Sequence, residues 1–205
     1  MKVNEASFRE VYHQICYISN GENFKSFADL LPHSSEATGV LAYGYIDHQA
    51  GLTFEILSCV KIEDNGSLTV FDGVDDVTLK YRVGSISECE LYFIDDDNIS
   101  SLFVDKIKMV NEGYKTTKGV ESTRELTVID ESRSPEYPDD VMVVLFYGDN
   151  QPEGCWVRCE ELGEGCIKGR LLNEPNSDFK VHCGDIIEFG VLRNDEGLMC
   201  VAVIE

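Results

Sequence analysis

Apolar positions along most of the chain alternate with a period of two, and only a few stretches follow the helical period instead. Residues 4–18, NEASFREVYHQICYI, place Phe8, Val11, Tyr12 and Ile15 at i, i+3, i+4 and i+7, the stripe of an amphipathic helix. Asn4 is the expected N-cap, Glu5 suits the positive end, and Asn20-Gly21 supplies the stop. A second short helix is expected over 24–31, ahead of Pro32. Strand patterns follow at 39–46, 52–62, 67–71, 77–83 and 88–94, with hairpin signals at 47–51 and at Asp64-Asn65-Gly66. The period returns to helical over 99–110, where Ile99, Leu102, Phe103, Ile107 and Val110 share a side between a cap at Asn98 and a stop at Gly113.

Residues 112–140 contain Pro135 and Pro138 and read as irregular. They mark the boundary between an N-terminal domain, 1–120, and a C-terminal one, 121–205. Beyond them lie strand patterns at 141–147, 155–161, 166–172, 185–192 and 198–205. Five short strands, expected to be antiparallel, suggest a small barrel or a strongly twisted sheet. The fold class is therefore α+β: helices flanking a mainly antiparallel sheet, followed by a small β-rich barrel-like C-terminal domain.

Composition supports an ordered core, in a chain long enough for one large domain or two small ones. The 205 residues are 43% hydrophobic, with Phe 10 and Tyr 9. Charge adds a constraint on partners. Lys+Arg 17 against Asp+Glu 38 gives −21, spread as 19 acids and 10 bases over 1–120 and 19 acids and 7 bases over 121–205. Such a field repels nucleic acid and anionic membranes, and it favours a basic protein as partner or simply serves solubility. Met1-Lys2 opens onto polar and charged residues, so a cytoplasmic protein with reduced thiols is expected. No stretch reaches the ~20 apolar residues of a membrane span.

The 8 cysteines are the obvious candidates for chemistry, and three sit in EGCWVRCEELGEGCIKGRLLNEP, 153–175. As a strand, CWVRC turns Cys155, Val157 and Cys159 to one face and Trp156 and Arg158 to the other. Cys155 and Cys159 then lie roughly 13 Å apart at ~3.3 Å per residue. Neither Zn–S bonds of about 2.3 Å nor a disulfide spans that gap. Cys166 across the turn adds one ligand at most, and Cys183 beside His182 has no CxxC partner, so neither metal nor cofactor is expected. His13 and Cys16 would be helical neighbours at i, i+3, but Cys16 borders the apolar face. DDDNIS, 95–100, fails as a calcium loop because Ser100 stands where Gly is needed and Lys106 where Glu is needed. It reads as a polar turn into a helix. GxxxxGK[ST], HExxH and GxSxG are all missing from the sequence.

Residues 124–189 resemble a bacterial family of unknown function, the YegJ-like proteins. The residues that carry the resemblance are Glu153, the pair Trp156-Val157, the run Gly169–Pro175 (G-x-L-x-N-x-P) and Gly184-Asp185. The resemblance implies an uncharacterised cytoplasmic bacterial protein and brings no catalytic residue with it.

The binding candidates are Trp156, Arg158, Asn173, Glu174 and Asp185. Trp156 and Arg158 on one strand face suit an aromatic–cation patch. Asn173 is expected in an Asx-type turn, with Pro175 fixing the exit, and Gly184-Asp185 launches the next strand. Trp156 itself is expected to be buried or half-buried between strands. The resulting expectation is a non-enzymatic protein-binding module, one version being an immunity-like neutraliser of a basic toxin or nuclease. The alternative is a hydrolase-type site assembled from scattered acidic and Cys/His residues.

Overall fold

The computed structural model describes residues 1–19, 33, 35–71, 78–195 and 197–205. The chain divides into two compact units, Met1–Lys115 and Thr116–Glu205. The fold is mixed α+β and mostly sheet, with a curled antiparallel sheet in the first unit and a closed five-stranded barrel in the second. Among the described residues, no helix is long and apolar enough to cross a membrane.

The first unit does not begin with the long helix that its periodicity predicts. A 3-10 turn, Val3–Glu5, leads to a single α-turn, α1 (Phe8–Val11), capped by Ser7, whose hydroxyl accepts from Glu10 N–H. His13 then takes a left-handed φ of 62°, and Ile15–Ser19 become strand β1. The helical spacing of Phe8, Val11, Tyr12 and Ile15 was a coincidence across this break. The run Ile15-Cys16-Tyr17-Ile18 is buried on both faces, which a strand inside a sheet achieves and a surface helix does not. The expected helix at 24–31 and the stop at Asn20-Gly21 lie outside the described residues.

β2 (Gly39–Asp47) and β3 (Gly51–Ile62) form the central hairpin. β4 (Leu68–Val70) and β5 (Lys80–Arg82) both pair with the far edge of β3, and β6 (Leu91–Phe93) pairs with β1. The sheet order is β4-β3-β2-β1-β6. Leu57 is an extra residue in β3, since Ile56 faces Ala42 and Ser58 faces Leu41. The two faces of this sheet carry separate apolar clusters. One contains Cys16, Ala42, Phe54 and Ile56 with Val3, Val11 and Ile86. The other contains Tyr17, Tyr43, Tyr45 and Leu57 with Phe103 and Val110. Those last two come from the 97–113 region, where α2 (Asp97–Leu102) and α3 (Val104–Gly113) meet at Phe103. The cap of α2 is Asp96, not Asn98: its Oδ1 accepts from the N–H groups of Asn98 and Ile99 at 2.8 and 3.4 Å.

The second unit opens with structure where prolines had suggested none. Thr117 caps α4 (Lys118–Arg124), and a 3-10 helix follows at Thr127–Ser132. Two buried arginines organise this segment. Arg124 donates from Nε and Nη2 to the two Asp139 oxygens at 2.8 and 2.7 Å, and both side chains are 3% exposed. Arg133 donates to the carbonyl oxygens of Thr123 and Pro138 and to Asp130. Gly119 lets α4 approach the neighbouring strand, because a Cβ there would stand 2.9 Å from the Glu160 carbonyl oxygen.

The barrel itself is β7 (Asp140–Phe146), β8 (Glu153–Leu162), β9 (Ile167–Leu171), β10 (Ile186–Asn194) and β11 (Gly197–Val203). Each strand is antiparallel to the next, but β11 closes on β7 in parallel. The expectation of an entirely antiparallel set fails here by parity: with an odd number of alternating strands, the first and last run the same way. Val141, Val143, Cys155, Val157, Cys159, Leu171, Phe189 and Cys200 fill the interior.

Because Arg124 and Asp139 are buried together, removing one partner strands a charge in the core. Asp139→Ala should lower unfolding stability by about 3–5 kcal/mol, measured by urea denaturation. Glu121→Ala, which removes a 41%-exposed partner of the same arginine, should cost less than about 1 kcal/mol.

Candidate functional site

The alternation of β8 puts Cys155, Val157 and Cys159 into the barrel and turns Trp156 and Arg158 outward. On the outer face Trp156 stands opposite Met142, and Arg158 opposite Asp140. Past the end of β9 the chain continues to bond β8: Leu172 N–H donates to the Trp156 carbonyl at 2.8 Å, and Trp156 N–H donates to Asn173 Oδ1 at 2.7 Å. Both backbone groups of Trp156 are thereby fixed. Asn173 thus bonds across to β8 rather than forming the local Asx turn that its sequence context suggests.

From the other side comes the loop before β7. Ser134 Oγ accepts from Tyr137 N–H at 3.3 Å, and Asp140 N–H donates to the Tyr137 carbonyl at 2.8 Å. This folded loop presents Tyr137 beside Trp156. Together Ser134, Tyr137, Asp140, Trp156, Leu172 and Asn173 line a cleft of about 310 Å³. Tyr137 is 40% exposed and Trp156 is 37% exposed. The tryptophan is therefore exposed, a wall of the cleft and not core, and the expectation of a ring buried or half-buried between strands fails here. Val157 on the opposite face is fully buried, as alternation requires.

Arg158 is not available as a free cation in this cleft. Its Nε and Nη2 donate to the two Asp140 oxygens at 2.7 and 3.0 Å. The hydrogen bond to Asp140 is also the main reason that its basicity is raised. The ion pair holds Asp140 in the lining of the cleft, where Tyr137 and Trp156 are the exposed aromatic rings.

Glu174 and Asp185 do not line the cleft; they shape the loop that returns from it. Glu174 accepts from Cys183 N–H at 2.8 Å and pairs with His182 Nδ1 at 2.7 Å. Asp185 accepts from His182 N–H at 2.8 Å, and Gly184 takes a φ of 96° that favours glycine. Glu153 clamps the same loop by accepting from Asn176 N–H and Nδ2, both at 2.7 Å. Of the five candidates, Trp156 and Asn173 are brought together, Arg158 supports them through Asp140, and Glu174 and Asp185 act on the loop. Ser134, Tyr137, Asp140 and Leu172 escaped sequence reasoning. The available signal was the SPEYPDD segment, in which two prolines restrict an aromatic residue just before a strand.

Thiol chemistry finds little support. Burial pushes the Cys159 and Cys16 thiols up to about 12, and it raises those of Cys59, Cys155 and Cys200. A buried neutral thiol is a poor nucleophile. The His13–Cys16 pairing also dissolves: Cys16 points into the sheet core, while His13 Nδ1 contacts Tyr43 Oη at 2.6 Å. Among the described residues, no three His, Cys, Asp or Glu side chains converge to hold a metal ion. Comparison with protein-family models, with curated proteins and with solved structures found no match.

The loop pair has a pH signature. Glu174 raises the His182 pKa above its ordinary 6.5 through their hydrogen bond, and His182 lowers that of Glu174. The favourable contribution of His182 is complete below its unfolded pKa and disappears as pH rises through the higher folded value. That of Glu174 is present above its unfolded pKa and is lost as pH falls through the lower folded value. An NMR titration should place the His182 midpoint above 6.5, and Glu174→Gln should bring it down.

Proposed function

We propose that this chain is a non-enzymatic protein-binding module whose barrel receives a cationic segment of a basic partner in the Tyr137–Trp156 cleft. The observation that carries this reading is the pair of exposed aromatic walls on a unit that is itself strongly acidic. Thr116–Glu205 holds 19 acids and 8 bases, a net of −11. A lysine or arginine side chain suits such a site: its charge is drawn by the field of the unit, and its head sits over an aromatic face. The volume of about 310 Å³ is at the small end of binding pockets. It admits one long side chain rather than a folded domain, so the surrounding surface supplies the remaining contact.

The residues behind the YegJ-like resemblance fit the same proposal. Trp156 and Asn173 line the cleft, Leu172 and the loop to Pro175 border it, and Glu153 fixes that loop. An immunity-like role in a bacterial cytoplasm, neutralising a basic toxin or nuclease, is the version of this function that we favour.

The test starts with a pull-down at low salt and rate measurements on the recovered partner. The association rate should fall as salt rises, because the attraction is screened over about 8 Å at physiological ionic strength, while dissociation changes less. Trp156→Ala should abolish capture yet cost the fold only about 1–2 kcal/mol, since the ring is a cleft wall and not core. An acidic partner, an association rate insensitive to salt, or full binding by Trp156→Ala would each overturn the reading.

A further inference from the structure

The Tyr137–Trp156 cleft is more selective than its charge alone requires, because its polar groups are already in use. Among the described residues that line it, Asp140 is the one carboxylate. It is buried, and its two oxygens accept from Arg158 Nε and Nη2 at 2.7 and 3.0 Å. Asn173 Oδ1 accepts from Trp156 N–H, and Ser134 Oγ accepts from Tyr137 N–H. The carbonyl oxygens of Tyr137 and Trp156 accept from Asp140 N–H and Leu172 N–H. The fold uses each of these acceptors before any ligand arrives. What it offers to a ligand is the exposed surface of two aromatic rings.

An ammonium and a guanidinium fare differently on such a lining. The lysine ammonium is a compact, strongly hydrated charge whose donors point outward from one nitrogen. Set over a ring in this cleft, it gives up water and meets oxygens that are already engaged. The arginine guanidinium is flat and more weakly hydrated, and all its N–H groups lie in its plane. Laid on an aromatic face, it keeps its donors at the edge, toward the water at the mouth of the cleft. Stacking and cation–π attraction then act together without a lost hydrogen bond. The field of the unit, with its net of −11, draws both cations alike and does not choose between them. The choice comes from the lining.

We propose that the Tyr137–Trp156 cleft is an arginine site, in which the guanidinium of a partner's exposed arginine stacks on the aromatic walls and a lysine binds more weakly. This rests on the reading of the cleft as the receptor for a cationic segment, and it narrows that segment to one side chain. The volume of about 310 Å³ accommodates a single flat head and its aliphatic stem.

Trp156 is the only tryptophan of the chain, so its fluorescence reports directly on the cleft. The full chain is titrated at one low ionic strength with the blocked peptide acetyl-Gly-Arg-Gly-amide, with its lysine counterpart, and with its citrulline counterpart, whose head is equally planar but uncharged. The arginine peptide should change the Trp156 emission and bind about fivefold or more tighter than either of the others. Tyr137→Leu keeps an apolar wall without an aromatic face and should weaken the arginine peptide by about fivefold, whereas Tyr137→Phe should hold it within about twofold. The melting curve of each variant shows whether it is folded. If Tyr137→Leu does not fold, the wild-type titrations decide the matter without it. A lysine peptide that binds as tightly as the arginine peptide overturns the arginine assignment and leaves the cationic-segment reading standing. Equal binding of the citrulline peptide, or arginine binding unchanged in folded Tyr137→Leu, overturns the assignment as well. A cleft that responds to neither cationic peptide would sink both.

Discussion

The second unit depends on where the Asp139-Asp140 pair sends its two charges. Asp139 closes the turn before β7, and Asp140 is the first residue of the strand. Asp139 is taken by Arg124 from α4, and Asp140 by Arg158 from β8. One dipeptide therefore ties the segment before the barrel to the barrel's first strand, and that strand to its neighbour. Such pairs add little net stability, because desolvation offsets their attraction, but they penalise every arrangement that separates them. What they fix is location. Tyr137 stands two residues before this anchor and Trp156 two residues before Arg158, so the same ion pairs set the spacing of the cleft walls.

A related logic separates two buried carboxylates. In the barrel, Arg158 and Asp140 satisfy one another, and the exposed surface of the cleft is aromatic. In the first unit, Glu55 Oε2 is buried and receives no hydrogen bond among the described residues. A carboxylate with both oxygens taken is a settled support, whereas a buried oxygen left unpaired keeps its desolvation cost.

The strands were legible because alternation in a half-buried strand repeats every two residues and turn residues punctuate it. All five barrel strands read correctly for that reason, and the β2–β3 hairpin, buried on both faces, read from its β-rich apolar runs and the turn residues between them. The first helix did not. Four apolar residues at helical spacing, Phe8 to Ile15, are also produced by one helical turn followed by a strand, and periodicity alone cannot see the backbone reversal at His13. Helix α4 was hidden for the opposite reason. Its seven residues carry a weak pattern, and they are held by Arg124 reaching a carboxylate fifteen residues away. The cleft was half legible. Trp156 and Asn173 stand out by type, while Tyr137 and Asp140 join them only through the β7–β8 register and a loop that folds back on itself. Parallel closure needed only a count of strands, yet it also needed the knowledge that the ring closes.

That closure sets where the chain is accessible. β7 and β11 run in the same direction, so polypeptide enters the barrel at one rim and leaves at the other. The cleft reaches Asp140, the first residue of β7, whereas Val203 pairs with Phe146, the last residue of β7. Anything joined after Val203, whether a fluorophore, a surface tether or further sequence, departs from the rim opposite the aromatic walls. Attachment there leaves the Tyr137–Trp156 mouth open.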